Sequence, residues 1–485
     1  MHWRAIGYLS GLLLMVFSTA MLPPLAIAWF YADGALVAFV DSYLLTLGTG
    51  FVLWILLRGA PRDLNHRDGF LLVTLFWVVL ALFGALPLLL SGTAPSFTAA
   101  FFESMSGLTT TGSTVLSGLS DLPHGIRFWR QEMQWLGGMG IIILALAILP
   151  ILQVGGMQLY KAEVPGPVKD QKLTPRVNET AKALWLIYIG LTGVAIVALW
   201  LAGMGPFDAV SHAFTSVATG GFSPYDASVG HFSSPLIHYL LIGFMFLGGA
   251  NFALHFAFLH GGGLRGYLGD PEFRVYLVLH VVAALLVTAF LMAYQTYPGL
   301  EESFRKALFQ TVSIGTTTGF ATADYEAWPS LLPFFILLLG FFMGSAGSTT
   351  GGIKVMRFVL LWKQGLRQAY LLIHPRAIAP LKLRDRPVPE GVIQAVWGFF
   401  AVYVTTFILL TLVMMALEGG DFETAVGAVG ATLTCVGPGL GDVGPADSFA
   451  SISIAGKWVL SLAMLMGRLE LFTFFVLLMP AFWRK

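Results

Sequence analysis

Residues 106–113 read Ser106-Gly107-Leu108-Thr109-Thr110-Thr111-Gly112-Ser113, and the chain returns to this pattern three more times. The second copy is Ser216-Val217-Ala218-Thr219-Gly220-Gly221-Phe222. The third is Ser313-Ile314-Gly315-Thr316-Thr317-Thr318-Gly319-Phe320, and the fourth is Thr432-Leu433-Thr434-Cys435-Val436-Gly437-Pro438-Gly439. Aligned on Gly112, Gly220, Gly319 and Gly437, the copies are 108, 99 and 118 residues apart. Each follows a short apolar run beginning near Phe97, Phe207, Phe304 or Phe422. These runs are too short to cross a bilayer core, which takes about 20 residues of helix. They fit half-helices that enter and stop. The segments around them (93–129, 205–233, 298–329 and 418–455) are long and semi-apolar, whereas helix connections are usually short. Irregular backbone at membrane depth is tolerated only where protein or water covers it. The unit is therefore helix, half-helix, Gly/Thr loop, helix. Four copies imply pseudo-fourfold symmetry about an axis.

The rest of the chain agrees. Of 485 residues, 56% are hydrophobic and 11% charged, where a soluble domain carries roughly 25% charged residues. This excludes a disordered chain and an ordinary soluble globule. Lys+Arg is 27 against Asp+Glu 26, so net charge gives no sign of a nucleic-acid partner. Cys435 is the single cysteine, which excludes an intrachain disulfide. Ten stretches are apolar enough to span: 5–30, 36–57, 70–92, 130–153, 183–204, 234–259, 275–297, 330–370, 392–417 and 456–482. The first is too long for a signal h-region, and Pro23-Pro24 reads as a kink. The fold class is all-α polytopic membrane protein, with ten spans arranged as four repeats behind two N-terminal helices. The divisions fall at 1–67 for the N-terminal hairpin, then 68–160, 161–260, 261–375 and 376–485 for the repeats. With the N-terminus cytoplasmic, inside segments hold 21 Lys/Arg and outside segments five, so both termini are expected in the cytoplasm.

The loop chemistry suits a cation. A dehydrated cation needs oxygen ligands, which a ring of backbone carbonyls supplies, one strand from each loop. Glycine lets those carbonyls turn inward without a Cβ clash. The negative C-terminal ends of the half-helices add to the attraction. The competing reading is that the Gly/Ser/Thr runs only allow close helix packing. The candidate ligating positions are Thr110, Thr111 and Gly112; Ala218, Thr219 and Gly220; Thr317, Thr318 and Gly319; and Cys435, Val436 and Gly437.

The eighth span is interrupted by Gly344, Ser345, Ala346, Gly347, Ser348, Thr349, Thr350, Gly351 and Gly352. Each interior glycine costs a helix about 1 kcal/mol relative to alanine. An unwound segment below the third loop is expected, with a small-residue packing face as the alternative. Arg468 lies within the last span. An intramembrane arginine is a functional hypothesis: it repels ions, or holds carbonyls of the unwound segment, or pairs locally with Glu470. Residues 354–391 are the most basic part of the chain, read either as topology or as a docking face. Glu103 adds negative potential at the outer mouth, or serves as a helix cap or surface residue. Gly439-Leu440-Gly441-Asp442-Val443-Gly444 matches a dinucleotide fingerprint but has no βαβ context. Asn178-Glu179-Thr180 is a sequon on the expected cytoplasmic side. His212 and His255 read as structural or lining residues rather than metal ligands, and no catalytic cluster is found.

Over essentially its whole length the sequence resembles the Trk/Ktr/HKT superfamily of potassium transporters, specifically the bacterial TrkH type. Beyond the four loops, the resemblance rests on Trp135-Leu136-Gly137-Gly138-Met139-Gly140-Ile141, Lys172-Leu173-Thr174-Pro175-Arg176 and Thr180-Ala181-Lys182-Ala183-Leu184-Trp185. It also rests on Gly249-Ala250-Asn251-Phe252-Ala253-Leu254-His255, Pro271-Glu272-Phe273-Arg274, 344–354 and Gly467-Arg468-Leu469-Glu470. The resemblance implies a potassium selectivity filter at the four loops, K+ as the transported ion, and 344–352 as a gate. It implies a homodimer in the bacterial inner membrane and a cytosolic ring of nucleotide-binding TrkA-type subunits. The fourth loop, Cys435-Val436-Gly437, departs from the Thr-Gly pattern. The rival reading is a secondary transporter for another small solute, which would show inverted repeats; here the repeats share one orientation.

Overall fold

The computed structural model describes residues 1–59, 65–143, 173–383 and 386–484. Those residues are mostly helical. Six helices are long and apolar enough to cross a membrane, or up to eight if each sharply bent pair is one span. The first span, Trp3–Tyr31, breaks before Leu22, where Pro23 and Pro24 open the second piece as the sequence suggests. Its helix Trp3–Thr19 crosses Leu36–Leu56 with Gly11 against Gly50. A Cβ on either would stand 2.8 Å from the other's carbonyl, so the small residues set this close approach.

Four short helices, Phe97–Leu108, Pro206–Val217, Leu300–Gly315 and Phe422–Leu433, carry the repeat. The first starts where Ser96 Oγ accepts from Ala99 N–H, and the fourth where Asp421 accepts from Glu423 N–H. All four stop in the same way. A residue in the left-handed region follows the C-cap: Thr110, Thr219, Thr317 and Cys435, with φ of 50°, 50°, 55° and 57°. Its N–H, and that of the next residue, bond back into the last turn, as in Thr110 N→Gly107 O and Thr111 N→Ser106 O. The same pair of bonds closes the other three helices. This is the Schellman arrangement, which normally takes glycine at the left-handed position. A β-branched threonine there is a true outlier costing about 1–2 kcal/mol. Three threonines and a cysteine hold it here.

The helix that follows each short helix is interrupted, wherever it is described past that level. Pro235–Gly248 and Phe252–Gly269 meet at 97°, and Ile454–Arg468 and Phe472–Leu478 at 117°. The eighth stretch, 330–370, is interrupted where its composition suggests: helix Leu332–Phe342 is followed by a non-helical segment and then helix Val355–Ile373. The fourth expected span begins as His124–Ile143, and its remainder lies outside the described residues. Cores run between neighbouring repeats and close the circle. Met105 and Leu108 of the first repeat share one core with Val429, Met464 and Leu465 of the fourth. Ile314 and Leu337 of the third share another with Val436 and Leu440.

Candidate functional site

The four loops meet edge to edge. Glycines with positive φ follow the Schellman residues by two positions: Gly112, Gly221, Gly319 and Gly437, at 89°, 79°, 83° and 106°. Each lies against the carbonyl of the residue before the glycine in a neighbouring loop. Gly112 faces Gly220 O, Gly221 faces Thr318 O, Gly319 faces Val436 O and Gly437 faces Thr111 O. These four contacts form a closed ring in repeat order. A Cβ at Gly437 would stand 2.8 Å from Thr111 O, and at the other three it would stand closer still. Side chains are thus excluded by both backbone angle and space.

This register shifts the second loop by one residue. Alignment of Thr-Gly pairs places Gly220 with Gly112, and the backbone places Gly221 there. Thr219 matches Thr110 in φ, and Gly220 N→Thr215 O matches Thr111 N→Ser106 O. The equivalent triads are 110–112, 219–221, 317–319 and 435–437, so Ala218 is a helix C-cap outside the strand. The consecutive Gly220-Gly221 leaves either register open in sequence, and the left-handed threonine decides it.

The segment 343–354 packs against the helix-end side of this ring, touching three of the four loops and reaching the first through Arg468. Thr219 Oγ1 is 2.9 Å from Thr349 Oγ1, and Thr317 Oγ1 accepts from Gly351 N–H at 2.7 Å. Gly351 lies against Thr434 O and Cys435 Cβ. The first loop is joined through Arg468, which donates to Thr109 O at 2.6 Å, to Thr349 O at 2.9 Å, and to Thr110 Oγ1. All four left-handed residues therefore face one segment, directly or through one guanidinium. The segment is unwound, with Gly347 and Gly352 at φ of 67° and 64°. Its backbone is satisfied by the breaks around it: Phe252 N donates to Gly347 O at 3.0 Å, and Ser345 N to Gly249 O at 3.3 Å. Glu272, at the start of Pro271–Ala293, accepts from Ala346 N–H at 2.7 Å. Lys354 turns its ammonium back on Thr350 O and Gly351 O.

Arg468 does not pair with Glu470. Glu470 takes Arg357 instead, at 2.6 Å, and Arg357 also stacks on Phe399 at 4.2 Å. Positions two apart on a helix point away from each other, and the chain breaks at Leu469. Glu103 is not at a mouth or a surface. It is fully buried with Arg130, at 2.8 Å, and accepts from Thr114 Oγ1 and Val115 N–H at 2.9 Å each. Arg130 also donates to Ser223 O at 3.1 Å, so this ion pair ties the first loop to the second.

His212 bonds Asp208 O and Ser223 Oγ, and His255 bonds Leu247 O and Tyr267 Oη, which accounts for both rings. Among the described residues no group of His, Cys, Asp or Glu could hold a metal ion. Gly439 and Gly441 pack against Gly427 and Thr424 of the fourth short helix, which uses the fingerprint glycines for close packing. Of the eight basic residues in 354–386, Lys354 and Arg357 belong to this buried network. Sequence reading missed Glu272 and Lys354 as partners of the unwound segment, Arg357 as the partner of Glu470, and Gln134, which donates to Gly220 O of the second loop. Their one available signal was polarity inside apolar helices.

A family model described as "TrkH: Cation transport protein" matches residues 36–485. The Trk system potassium uptake protein TrkH of Salmonella typhimurium is 49% identical, with all of both chains covered. TrkG of Escherichia coli, also a Trk system potassium uptake protein, is 36% identical over all of this chain and 99% of its own. The crystal structure of the potassium transporter TrkH from Vibrio parahaemolyticus superposes with a TM-score of 0.92, at 47% identity and full coverage of both chains. Together with the apolar helices, these matches show a multi-pass membrane transport protein and not an enzyme: the chain belongs to the TrkH family of cation transport proteins.

Proposed function

We propose that the chain is a potassium uptake protein of the bacterial inner membrane with one pore, whose selectivity filter is the four-loop ring. The observation that carries this is the closed ring itself: four glycines, each against a neighbouring strand's carbonyl, at the converging C-terminal ends of four short helices. Carbonyl oxygens and negative helix ends supply what a dehydrated monovalent cation requires. The filter positions are Thr110–Gly112, Thr219–Gly221, Thr317–Gly319 and Cys435–Gly437. The full architecture is ten spans, with the N-terminal hairpin at 1–67 and pore-loop repeats at 68–160, 161–260, 261–375 and 376–485.

The segment 344–352, with Arg468, is the gate. Its contacts with the left-handed residues, direct for three and through Arg468 for Thr110, support this, because a segment on the axis blocks the path and must move for conduction. Arg468 holds Thr349 O and places a positive charge where ions would pass. The protein acts as a homodimer and docks a cytosolic nucleotide-binding ring of the TrkA type. Exposed Lys363, Arg376 and Lys382 support the second contact. Trp362, Leu366, Tyr370 and Ile373 form an exposed apolar stripe on Val355–Ile373 that supports a covered face nearby.

The test is cation flux from liposomes containing the purified full chain. Flux should fall from potassium to sodium to lithium, and Gly112→Ser should lower the potassium preference. Absence of cation flux both in the full chain and after shortening of 344–352 would overturn the reading.

A further inference from the structure

The four strands of the ring are not braced alike. In the first, Thr109 Oγ1 and Thr111 Oγ1 lie 2.8 Å apart, tying the helix cap to the residue before the ring glycine. In the third, Thr316 and Thr318 repeat this at 2.8 Å. In the fourth, Val436 fills a core with Ile314 and Leu337. The second strand has Ala218 and Gly220 at these two places and so lacks any side chain for the task. There a residue of another helix takes over. Gln134 of His124–Ile143, itself fully buried, donates through Nε2 to Gly220 O at 2.5 Å. Its Oε1 accepts from Phe222 N–H at 2.9 Å. The two partners, one acceptor and one donor, fix the orientation of the carboxamide. It clasps the strand on both sides of Gly221.

The clasp also explains why position 220 is glycine. A Cβ there would stand 2.5 Å from Gln134 Oε1 and 2.9 Å from Nε2. The carboxamide occupies the place that a threonine or valine side chain takes in the other strands. Gly220 O is the carbonyl against which Gly112 packs, so it belongs to the ring. No other carbonyl of that set, among Thr111, Thr318 and Val436, accepts from a side chain in the described structure. In the following helices of the second and fourth repeats, Gly248 and Gly467 approach the last carbonyl of a short helix, as Gly137 does. Three residues before each stand Met245 and Met464, which cannot make this clasp.

We infer that Gln134 is a positioning residue for ion selectivity, holding the second strand of the ring in place of the hydroxyl pair that this strand lacks. The inference rests on the reading of the ring as the filter. Because Gly220 O keeps a second lone pair, the carboxamide sets the position of this oxygen without removing it as a ligand.

The test compares full-length Gln134→Ala, Gly220→Thr and the double variant in liposomes, reading the potassium-to-sodium flux ratio. Gln134→Ala should lower the ratio by about fivefold or more, the scale of one lost buried hydrogen bond. Gly220→Thr should lower it as well, because the new side chain meets the carboxamide. The double variant should recover most of the ratio, since the threonine then fills the vacated space as in the first and third strands. Gln134→Leu keeps similar bulk but removes both the donor to Gly220 O and the acceptor for Phe222 N–H. It should lower the ratio too, and it serves if the alanine variant does not fold. Gly112→Ser is the control for the filter reading. If it shifts the ratio while neither Gln134 variant does, the clasp is overturned and the filter stands. If the double variant is no better than the worse single, the exchange of side chain for carboxamide is overturned. If Gly112→Ser leaves the ratio unchanged, the filter reading fails, and with it this inference.

Discussion

Threonine in the left-handed region is costly, and this chain carries it at Thr110, Thr219 and Thr317. A glycine would end each helix with less strain, so the hydroxyls have another use. They supply it at the contact with 343–354, through Arg468, Thr349 and Gly351. Replacing Thr219 by glycine should therefore raise thermal stability or leave it unchanged while weakening closure, seen as higher flux in the absence of a partner. The ring glycines behave in the opposite sense. Each is excluded from substitution twice, by φ and by the neighbouring carbonyl. Gly319→Ala should abolish most potassium flux, and Gly437→Ala should abolish less, because the carbonyl beside Gly437 leaves more room. Equal flux in both variants would count against the ring as the path. Sequence made the four loops legible because glycine and threonine break helices wherever they cluster. It could not fix the register of the second, because Gly220-Gly221 satisfies both alignments and only the backbone of Thr219 distinguishes them. Gln134 and Glu272 were out of reach, since their partners are 86 and 74 residues away in the chain.

At the scale of elements, the interrupted eighth span was legible from composition, and its contacts were not. The segment is bound on its far side by Glu272, whose carboxylate takes Ala346 N–H at the start of a helix. Glu272→Gln keeps an acceptor oxygen but loses the charge, and charge-assisted bonds are roughly twice as strong as neutral ones. It should raise the basal flux of the full chain, measured as rubidium uptake into liposomes, by less than removal of 344–352 does. A lower flux would mean that Glu272 favours the open arrangement. A second contact between elements lies outside the membrane-spanning helices. Glu326, after the third loop, accepts from Gly441 N–H of the fourth at 2.5 Å. Partial burial raises its carboxyl to about 7, with Asp324, Asp447 and Glu423 adding repulsion against the bond to Gly441. A carboxyl raised on folding favours the folded state below its ordinary value near 4.5, and this advantage is lost as pH rises through 7. The melting temperature of the wild type, relative to Glu326→Gln, should accordingly fall between pH 4.5 and 7. A difference independent of pH over that window would remove Glu326 as the titrating group.

For the whole molecule, one asymmetry decides which way the proposed pore faces. The short helices all end at the ring, and the segment 344–352 lies on that helix-end side. An ion coming from the side where the short helices begin meets the ring before the segment. The sequence-based topology sets the expected side: it puts 21 Lys/Arg in segments with the termini and five in segments with the loops, a bias that predicts cytoplasmic termini. Charges held inside the protein occur in both groups: Lys354 and Arg357, counted among the 21, belong to the network at 343–354. Arg130, counted among the five, is buried against Glu103 and is no surface charge at all. With cytoplasmic termini, a reporter enzyme that works only outside the cytoplasm should be inactive when fused after Lys485. Inserted at Ser228–His231, a short turn of the second loop region, it should be active. That arrangement presents the ring to the outside and the segment to the cytoplasm, where a cytosolic ring of subunits could reach Val355–Ile373 and move it. The reverse pattern would put the segment on the outer side of the ring and the exposed bases of 363–382 beyond reach of any cytosolic partner. It would remove regulation from the inside even if the filter itself proved correct.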